Sequence, residues 1–174
     1  MSTTPKLDLK IEPLAPQHDR AGFSCGVESL DRYFRTQAGQ DVRRKANAVF
    51  VLINQGQPNQ VLGYYTLCAT APSQGDVPLA ARKHLPSYPL VSATLIGRLA
   101  VAAVHQGRGL GALLLADAVQ RAYVTASSIG SSMLIVDAID ERAATFYEAN
   151  GFVRLPDSLR LILPISAIGK LLMS

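Results

Sequence analysis

The sequence contains no long uncharged apolar run, so we expect no membrane-spanning segment. Residues 1–10 lack the apolar centre of a signal peptide, and we therefore expect a cytoplasmic protein without a secretion signal. Only two cysteines are present, Cys25 and Cys68, and they lie too far apart to match the spacing of metal ligands. We expect two reduced thiols and no bound metal. Repeats and low-complexity segments are also absent.

The composition is that of a globular protein. Hydrophobic residues make up 48% and charged residues 17% of the 174 residues, which suits a single domain over residues 1–174 with a sizeable core. The formal net charge of +4 is a modest excess that favours a polyanionic partner. The basic residues cluster at 43–45 and 82–84, and a solvated surface is the usual explanation of such clusters.

Hydrophobic periodicity predicts strands and helices in alternation. The predicted strands cover residues 7–14, 48–54, 60–71, 95–104, 133–138 and 159–164. The predicted helices cover residues 28–42, 109–126, 140–150 and 165–172, with Gly151 ending the third of them. This order indicates an α+β fold with a single mixed, mostly antiparallel sheet, helices on both faces and a central β–α–β unit.

The most informative segment is Gln-Gly-Arg-Gly-Leu-Gly at residues 106–111, between the fourth predicted strand and the second predicted helix. Backbone N–H groups and the positive end of a helix dipole meet at such a junction, which suits a phosphate group. No lysine follows as in a P-loop, and the third glycine comes one residue too early for a dinucleotide fingerprint. A plain tight turn is the alternative interpretation.

This segment resembles the acetyl-CoA pyrophosphate loop of the GCN5-related N-acetyltransferases, the GNAT family. Over residues 7–164 the chain is similar to one branch of that family, the acetyltransferase toxins of type II toxin–antitoxin systems. The matching positions are Phe23, Cys25, Gly26, Leu30, Asp31 and Tyr33, together with residues 63–67, 97–101 and 146–152. The resemblance implies a GNAT fold and an acetyl-CoA-dependent enzyme that acetylates the α-amino group of aminoacyl-tRNA and blocks translation. It also implies a ribbon-helix-helix antitoxin and a homodimer.

The resemblance assigns roles to individual residues. Tyr147 is the predicted general acid, which returns a proton to the departing thiolate; its hydroxyl has an ordinary pKa of about 10. A buried core aromatic is the alternative interpretation of this tyrosine. For Arg108 a plain exposed arginine is equally compatible. The predicted cofactor-binding residues are Leu99, Ala100, Val101, Gln106, Gly107, Arg108, Gly109, Leu110 and Gly111.

The sequence shows no general base, because Ala102 stands where the toxin branch commonly has an acidic residue. A free α-amino group has a pKa of about 7.7–8.0, against about 10.4 for lysine, so a base-poor site favours an α-amine as acceptor. A tRNA acceptor would bind through contacts between basic side chains and phosphates. The candidates are Arg35, Arg43, Arg44, Lys45, Arg82, Lys83 and Arg98.

Two other functions stay open on the sequence alone. A GNAT enzyme acting on a small amine or a protein N-terminus would be insensitive to salt and to loss of the basic clusters. A non-catalytic module that binds acetyl-CoA or a partner protein would keep its biological effect after the change Tyr147→Phe.

Overall fold

A computed structural model of the chain describes residues 6–172, with the side chains of residues 6–169. The strands in this part of the chain are β1 (Leu9–Pro13), β2 (Ala48–Asn54), β3 (Gln57–Thr70), β4 (Ala93–Val101), β5 (Met133–Asp137), β6 (Val153–Arg154) and β7 (Arg160–Pro164). The α-helices are α1 (Glu28–Thr36), α2 (Ala38–Arg44), α3 (Leu79–Arg82), α4 (Leu110–Ile129), α5 (Glu141–Ala149) and α6 (Ile165–Leu172).

The strands form a mixed sheet in the order β1-β2-β3-β4-β5-β7-β6. Strands β4 and β5 are parallel, with Ala93 opposite Met133, and α4 connects them along the chain. Antiparallel pairing joins β1 to β2, β5 to β7 and β6 to β7. The predicted α+β class, the mixed sheet and its central β–α–β unit are therefore confirmed.

Spatial clustering divides the chain into two compact units. The first comprises Met1–Thr66 and Arg98–Leu115, and the second comprises Leu67–Gly97 and Ala116–Ser174. A single domain over residues 1–174 stays a prediction.

The core of the first unit is built on aromatic rings. Phe34 stacks on Tyr64 with 4.4 Å between ring centroids, and Phe23 meets Phe34 edge-on at 5.2 Å. Alternate residues of β2 and the end of β4 complete this cluster. Residues 71–92, the Pro-rich connection, lie between β3 and β4. In the second unit, Val77, Leu85 and Val91 of this connection pack into a core that also contains residues of β5 and β7.

The predicted single helix over residues 28–42 is wrong, because the structure breaks it at Gln37. The backbone there has φ −119° and ψ −31°, and α2 begins at the next residue. The break brings the carboxylate of Asp41 to the hydroxyl of Tyr33 at 2.8 Å. Helical periodicity continues across the break, so the sequence pattern does not reveal it.

The predicted ends of two strands are also wrong. Strand β4 stops at Val101 instead of residue 104, because residues Ala103–His105 turn into a short 3₁₀ helix. Strand β3 begins at Gln57 instead of residue 60, so only two residues separate it from β2. The two-residue strand β6 was not predicted, since it is too short for periodicity to indicate it.

Within residues 6–172, no helix has the length and apolar character needed to cross a membrane. The same part of the chain contains no group of three or more His, Cys, Asp or Glu side chains placed to hold a metal ion.

Candidate active site

The glycine-rich loop connects the end of β4 to the start of α4, as predicted. Gly107 has φ +80° and Gly109 has φ +79°, in the left-handed region that glycine adopts at little cost. A Cβ atom built at either position meets no atom within 4 Å. The backbone conformation therefore requires glycine here, and the space beside each Cα stays open for a ligand.

The loop presents a row of unused backbone donors. In the described part of the chain, the N–H groups from Gly107 to Ala112 have no acceptor, and Leu113 is the first to donate, to the carbonyl oxygen of Gly109 at 3.2 Å. These groups stand at the N-terminal, positive end of a helix of 20 residues. An anion such as a pyrophosphate fits this arrangement.

Gln106 fastens the start of the loop. Its side-chain Nε2 donates to the carbonyl oxygens of Cys25 at 2.9 Å and Val101 at 3.0 Å. The N–H of Cys25 in turn donates to Oδ1 of Asp31 at 2.9 Å. The signature residues Cys25 and Asp31 therefore support the predicted cofactor loop, a connection that their separation in the sequence does not indicate.

Strand β4 ends in a tightly packed segment. A Cβ added to Gly63 would lie 2.8 Å from the carbonyl oxygen of Ala100 and 2.8 Å from Cδ1 of Leu114, so β3 approaches closely only with glycine at this position. Ala100 is buried, whereas Leu99 and Val101 are half-buried. Ala102 is 7% exposed and belongs to the aromatic core cluster, so it supplies no base.

Tyr147 lies on α5, which begins at Glu141, and the N-cap Asp140 precedes it. Its ring is buried and meets Phe146 and Phe152 edge-on, with 5.2 Å and 5.8 Å between ring centroids. Burial raises the pKa of the Tyr147 hydroxyl, so this group is protonated at neutral pH.

The hydroxyl oxygen of Tyr147 has no hydrogen-bond partner among the described residues. A protonated hydroxyl on a tightly packed ring is what a general acid requires.

The structure distributes the predicted basic residues over both units. Arg35, Arg43, Arg44, Lys45 and Arg98 belong to the first unit, and Arg82 and Lys83 to the second.

Their environments differ as well. Residues 43–45 are exposed, and Arg35 pairs with Glu28 at 3.8 Å. Arg82 is engaged with the backbone, since its guanidinium donates to the carbonyl oxygens of Val77 at 2.7 Å and Gly75 at 3.3 Å. Arg82 therefore supports the Pro-rich connection.

Residues 45–154 match the acetyltransferase (GNAT) domain family. The chain therefore belongs to the GNAT family of acetyltransferases, which confirms the resemblance. Among its relatives is the tRNA-acetylating toxin of Mycobacterium tuberculosis, 36% identical over 146 residues, which are 83% of this chain and 85% of the relative.

Two solved toxin structures have the same fold. The structure of AtaT complexed with acetyl-methionyl-tRNAfMet has a TM-score of 0.86 and 32% identity, and it covers 96% of this chain and 100% of that chain. A tyrosine-to-phenylalanine mutant of AtaT, bound to acetyl-CoA and the C-terminus of the antitoxin AtaR, has a TM-score of 0.81 and 30% identity. It covers 96% of this chain and 99% of that chain.

Proposed function

We propose that this protein is a toxin that uses acetyl-CoA to acetylate the α-amino group of aminoacyl-tRNA and thereby blocks translation. The observation that carries the proposal is the row of free N–H groups at the start of α4, in a chain that belongs to the GNAT family. The similarity to AtaT, which was solved with an acetylated methionyl-tRNA, supports the choice of acceptor.

The protein holds the cofactor through its backbone. The N–H groups from Gly107 to Ala112 bind the pyrophosphate, and the open space beside the two left-handed glycines admits it. The backbone of Leu99, Ala100 and Val101 at the end of β4 pairs with the pantetheine arm. When bound, acetyl-CoA supplies an activated acetyl group as a thioester.

Tyr147 acts as the general acid of the transfer. The acceptor amine forms a C–N bond with the acetyl carbon, the C–S bond breaks, and the Tyr147 hydroxyl donates its proton to the departing thiolate. The amine releases one proton to water, and the Tyr147 oxygen takes a proton back from water before the next turnover. No carboxylate base is needed, because a useful fraction of α-amino groups with a pKa of about 7.7–8.0 is already deprotonated at neutral pH.

The partners follow from the same assignment. AtaT is bound to the C-terminus of an antitoxin, and we propose that an antitoxin neutralises this chain as well. We further propose that the antitoxin is of the ribbon-helix-helix type, that the toxin is a homodimer, and that it acts in the cytoplasm, where charged tRNA is found. Co-expression with a small ribbon-helix-helix protein encoded beside it, followed by size-exclusion chromatography, tests these assignments.

Acetyl transfer from radiolabelled acetyl-CoA tests the function directly. Purified charged tRNAs serve as acceptors, with the same tRNAs after deacylation as controls. We expect label only on charged tRNA. If the protein binds acetyl-CoA but labels no charged tRNA, the toxin proposal is wrong, and small amines and protein N-termini are the next acceptors to test.

A further inference from the structure

The guanidinium of Arg98 lies over the ring of Tyr33. Its Cζ atom is 3.5 Å from the ring centroid, and Tyr33 is 7% exposed. The Tyr33 ring also packs beside that of Tyr64, with ring centroids 6.5 Å apart and planes at 21°. Contact with a buried ring restricts the guanidinium, and a cation over an aromatic face is itself favourable.

Among the described residues, no acidic group forms an ion pair with the guanidinium of Arg98, although the charge of Arg98 helps to lower the pKa of Asp41. Other arginines form close ion pairs: Arg154 meets Glu141 at 2.6 Å, and Arg160 meets Asp137 at 2.7 Å. No N–H of the Arg98 guanidinium is hydrogen-bonded to a described residue, so these donors remain available. The planar set of donors on a guanidinium matches the oxygens of a phosphate group.

The nearby carboxylate of Asp41 is engaged elsewhere. It accepts hydrogen bonds from Tyr33 Oη at 2.8 Å, Gln37 Nε2 at 3.0 Å and Asn47 Nδ2 at 3.0 Å. These bonds, that of Gln37 foremost, hold the pKa of Asp41 below its usual range, so it is ionised at neutral pH. Asp41 therefore fixes the tyrosine, and the tyrosine in turn fixes Arg98.

Arg98 immediately precedes the segment Leu99–Val101, where the proposed function places the arm that carries the acetyl group. Its side chain points to the same face of β4 as Ala100, which belongs to the aromatic core cluster with Tyr33. An anion bound by Arg98 is therefore close to the point of acetyl delivery. In aminoacyl-tRNA, the anion nearest the reacting amine is the phosphate that joins the terminal nucleotide to its neighbour.

We propose that Arg98 binds this terminal internucleotide phosphate of the acceptor, and that Tyr33 is the residue that positions Arg98. The inference rests on the proposed function and names the part of the tRNA that Arg98 contacts. This assignment gives Arg98 one specific phosphate, whereas the exposed residues 43–45 are predicted to contact tRNA phosphates at no particular position.

A double-mutant cycle tests the pairing of side chain and phosphate. Wild type and Arg98→Gln are assayed on charged tRNA and on the same tRNA with an uncharged methylphosphonate at the terminal linkage. We expect each change alone to lower kcat/KM by about 10- to 100-fold, the loss typical of a charge-assisted hydrogen bond. The two changes combined should lower it no further than either alone. Arg121→Gln, which removes one positive charge from α4, is the matched control. The methylphosphonate should lower the kcat/KM of this variant by the same factor as that of wild type.

The cycle has clear contrary outcomes. If the two losses multiply, or if the methylphosphonate has no effect on wild type, Arg98 does not bind this phosphate. If Arg98→Gln instead raises the KM for acetyl-CoA and not for dephospho-acetyl-CoA, its anion is the 3′-phosphate of the cofactor and the inference is wrong. If wild type acetylates no charged tRNA at all, the proposed function and this inference fall together.

Two variants of Tyr33 test its positioning role. Tyr33→Phe keeps the aromatic face but loses the hydrogen bond to Asp41, so the preference for phosphate over methylphosphonate should fall by about threefold. Tyr33→Leu removes the aromatic face and should reduce the preference for phosphate over methylphosphonate about tenfold. The KM for charged tRNA should rise, while the KM for acetyl-CoA stays unchanged. A purely structural role would lower activity on both acceptors equally. Should Arg98→Gln fail to fold, Arg98→Lys, which keeps the charge and loses the planar fork, replaces it in the cycle.

Discussion

The side-chain Nε2 of Gln106 donates a hydrogen bond to the carbonyl oxygen of Val101, five residues earlier in the chain, at 3.0 Å. This bond ties the first residue of the glycine-rich loop to the last residue of β4. Because the same nitrogen also donates to Cys25, the loop is anchored at the N-terminal turn as well. The strand proposed to bind the pantetheine arm and the loop proposed to bind the pyrophosphate are therefore held in one fixed arrangement.

Gln106→Glu should weaken acetyl-CoA binding. The variant has no donor, and its carboxylate would face two carbonyl oxygens, so we expect the Kd for acetyl-CoA to rise about tenfold. Isothermal titration calorimetry measures the change. Gln106→Met, which removes the bonds without adding charge, should have a smaller effect in the same direction. Equal affinities of wild type and both variants for acetyl-CoA would show that the bonds of Gln106 do not support cofactor binding.

Substitution of the left-handed glycines should reduce both stability and cofactor affinity. Gly107→Ala or Gly109→Ala meets no neighbouring atom, but holding a side chain at positive φ costs about 1–2 kcal/mol. Thermal unfolding and acetyl-CoA titration together measure the two effects.

Gly75→Ala is the matched control for these variants. A Cβ at Gly75 also meets nothing within 4 Å, and the backbone there is not left-handed. It should therefore bind acetyl-CoA as wild type does. Equal loss of affinity in this control would show that the loop conformation is not responsible.

Tyr147→Phe should lower kcat by about 10²- to 10³-fold while KM values stay close to wild type, the effect of removing a general acid. The fold should persist, since phenylalanine keeps the ring contacts with Phe146 and Phe152 and the hydroxyl has no partner among the described residues. Steady-state acetyl transfer to charged tRNA measures the change. A variant as fast as wild type would place the acid elsewhere.

The pH profile of kcat should rise and then stay level. The rise comes from deprotonation of the acceptor amine, with a pKa of about 7.7–8.0. A general acid loses activity as the pH increases through its own pKa, and burial raises the pKa of Tyr147 above its ordinary value of about 10. No decline is therefore expected up to about pH 10. An amide-linked aminoacyl-tRNA, which resists alkaline hydrolysis, permits the measurement, and a decline near pH 8 would exclude Tyr147 as the acid.

Arg82 and Arg43 should respond differently to replacement by glutamine. Arg82→Gln loses two bonds to backbone carbonyls and should destabilise the protein by about 1–2 kcal/mol with little change in the salt dependence of tRNA binding. Arg43 is exposed, so Arg43→Gln should leave the free energy of unfolding unchanged. The slope of log affinity for tRNA against log salt concentration should become shallower by about 1. Filter binding at several salt concentrations and chemical denaturation distinguish the two outcomes.

Local features of the fold were predictable, because short stretches of sequence determine them. The glycines of residues 106–111 must follow a strand and start a helix, and the structure places them there. The N-cap Asp140 and the left-handed Gly151 likewise mark the two ends of α5.

Features that depend on distant partners were not predictable. After the end of β4, the N–H of Ala103 donates to the carbonyl oxygen of Ser24 at 2.8 Å, and the chain turns into a 3₁₀ helix. The stacking of Arg98 on Tyr33 and the bonds of Arg82 to the backbone leave no periodic pattern in the sequence. The sequence therefore identified candidate residues, while the folded chain determines which of them are available to a substrate.

The break at Gln37 lowers the helical regularity of residues 28–44 but supports the proposed activity. In one continuous helix, the eight residues from Tyr33 to Asp41 would span about 12 Å along the axis, too far for their 2.8 Å hydrogen bond. A substitution that straightens residues 28–44 would strengthen the local helix and yet release Tyr33, and with it the orientation of Arg98. Such a protein should keep the glycine-rich loop and bind the acceptor more weakly, so a substitution outside the proposed binding residues would lower activity.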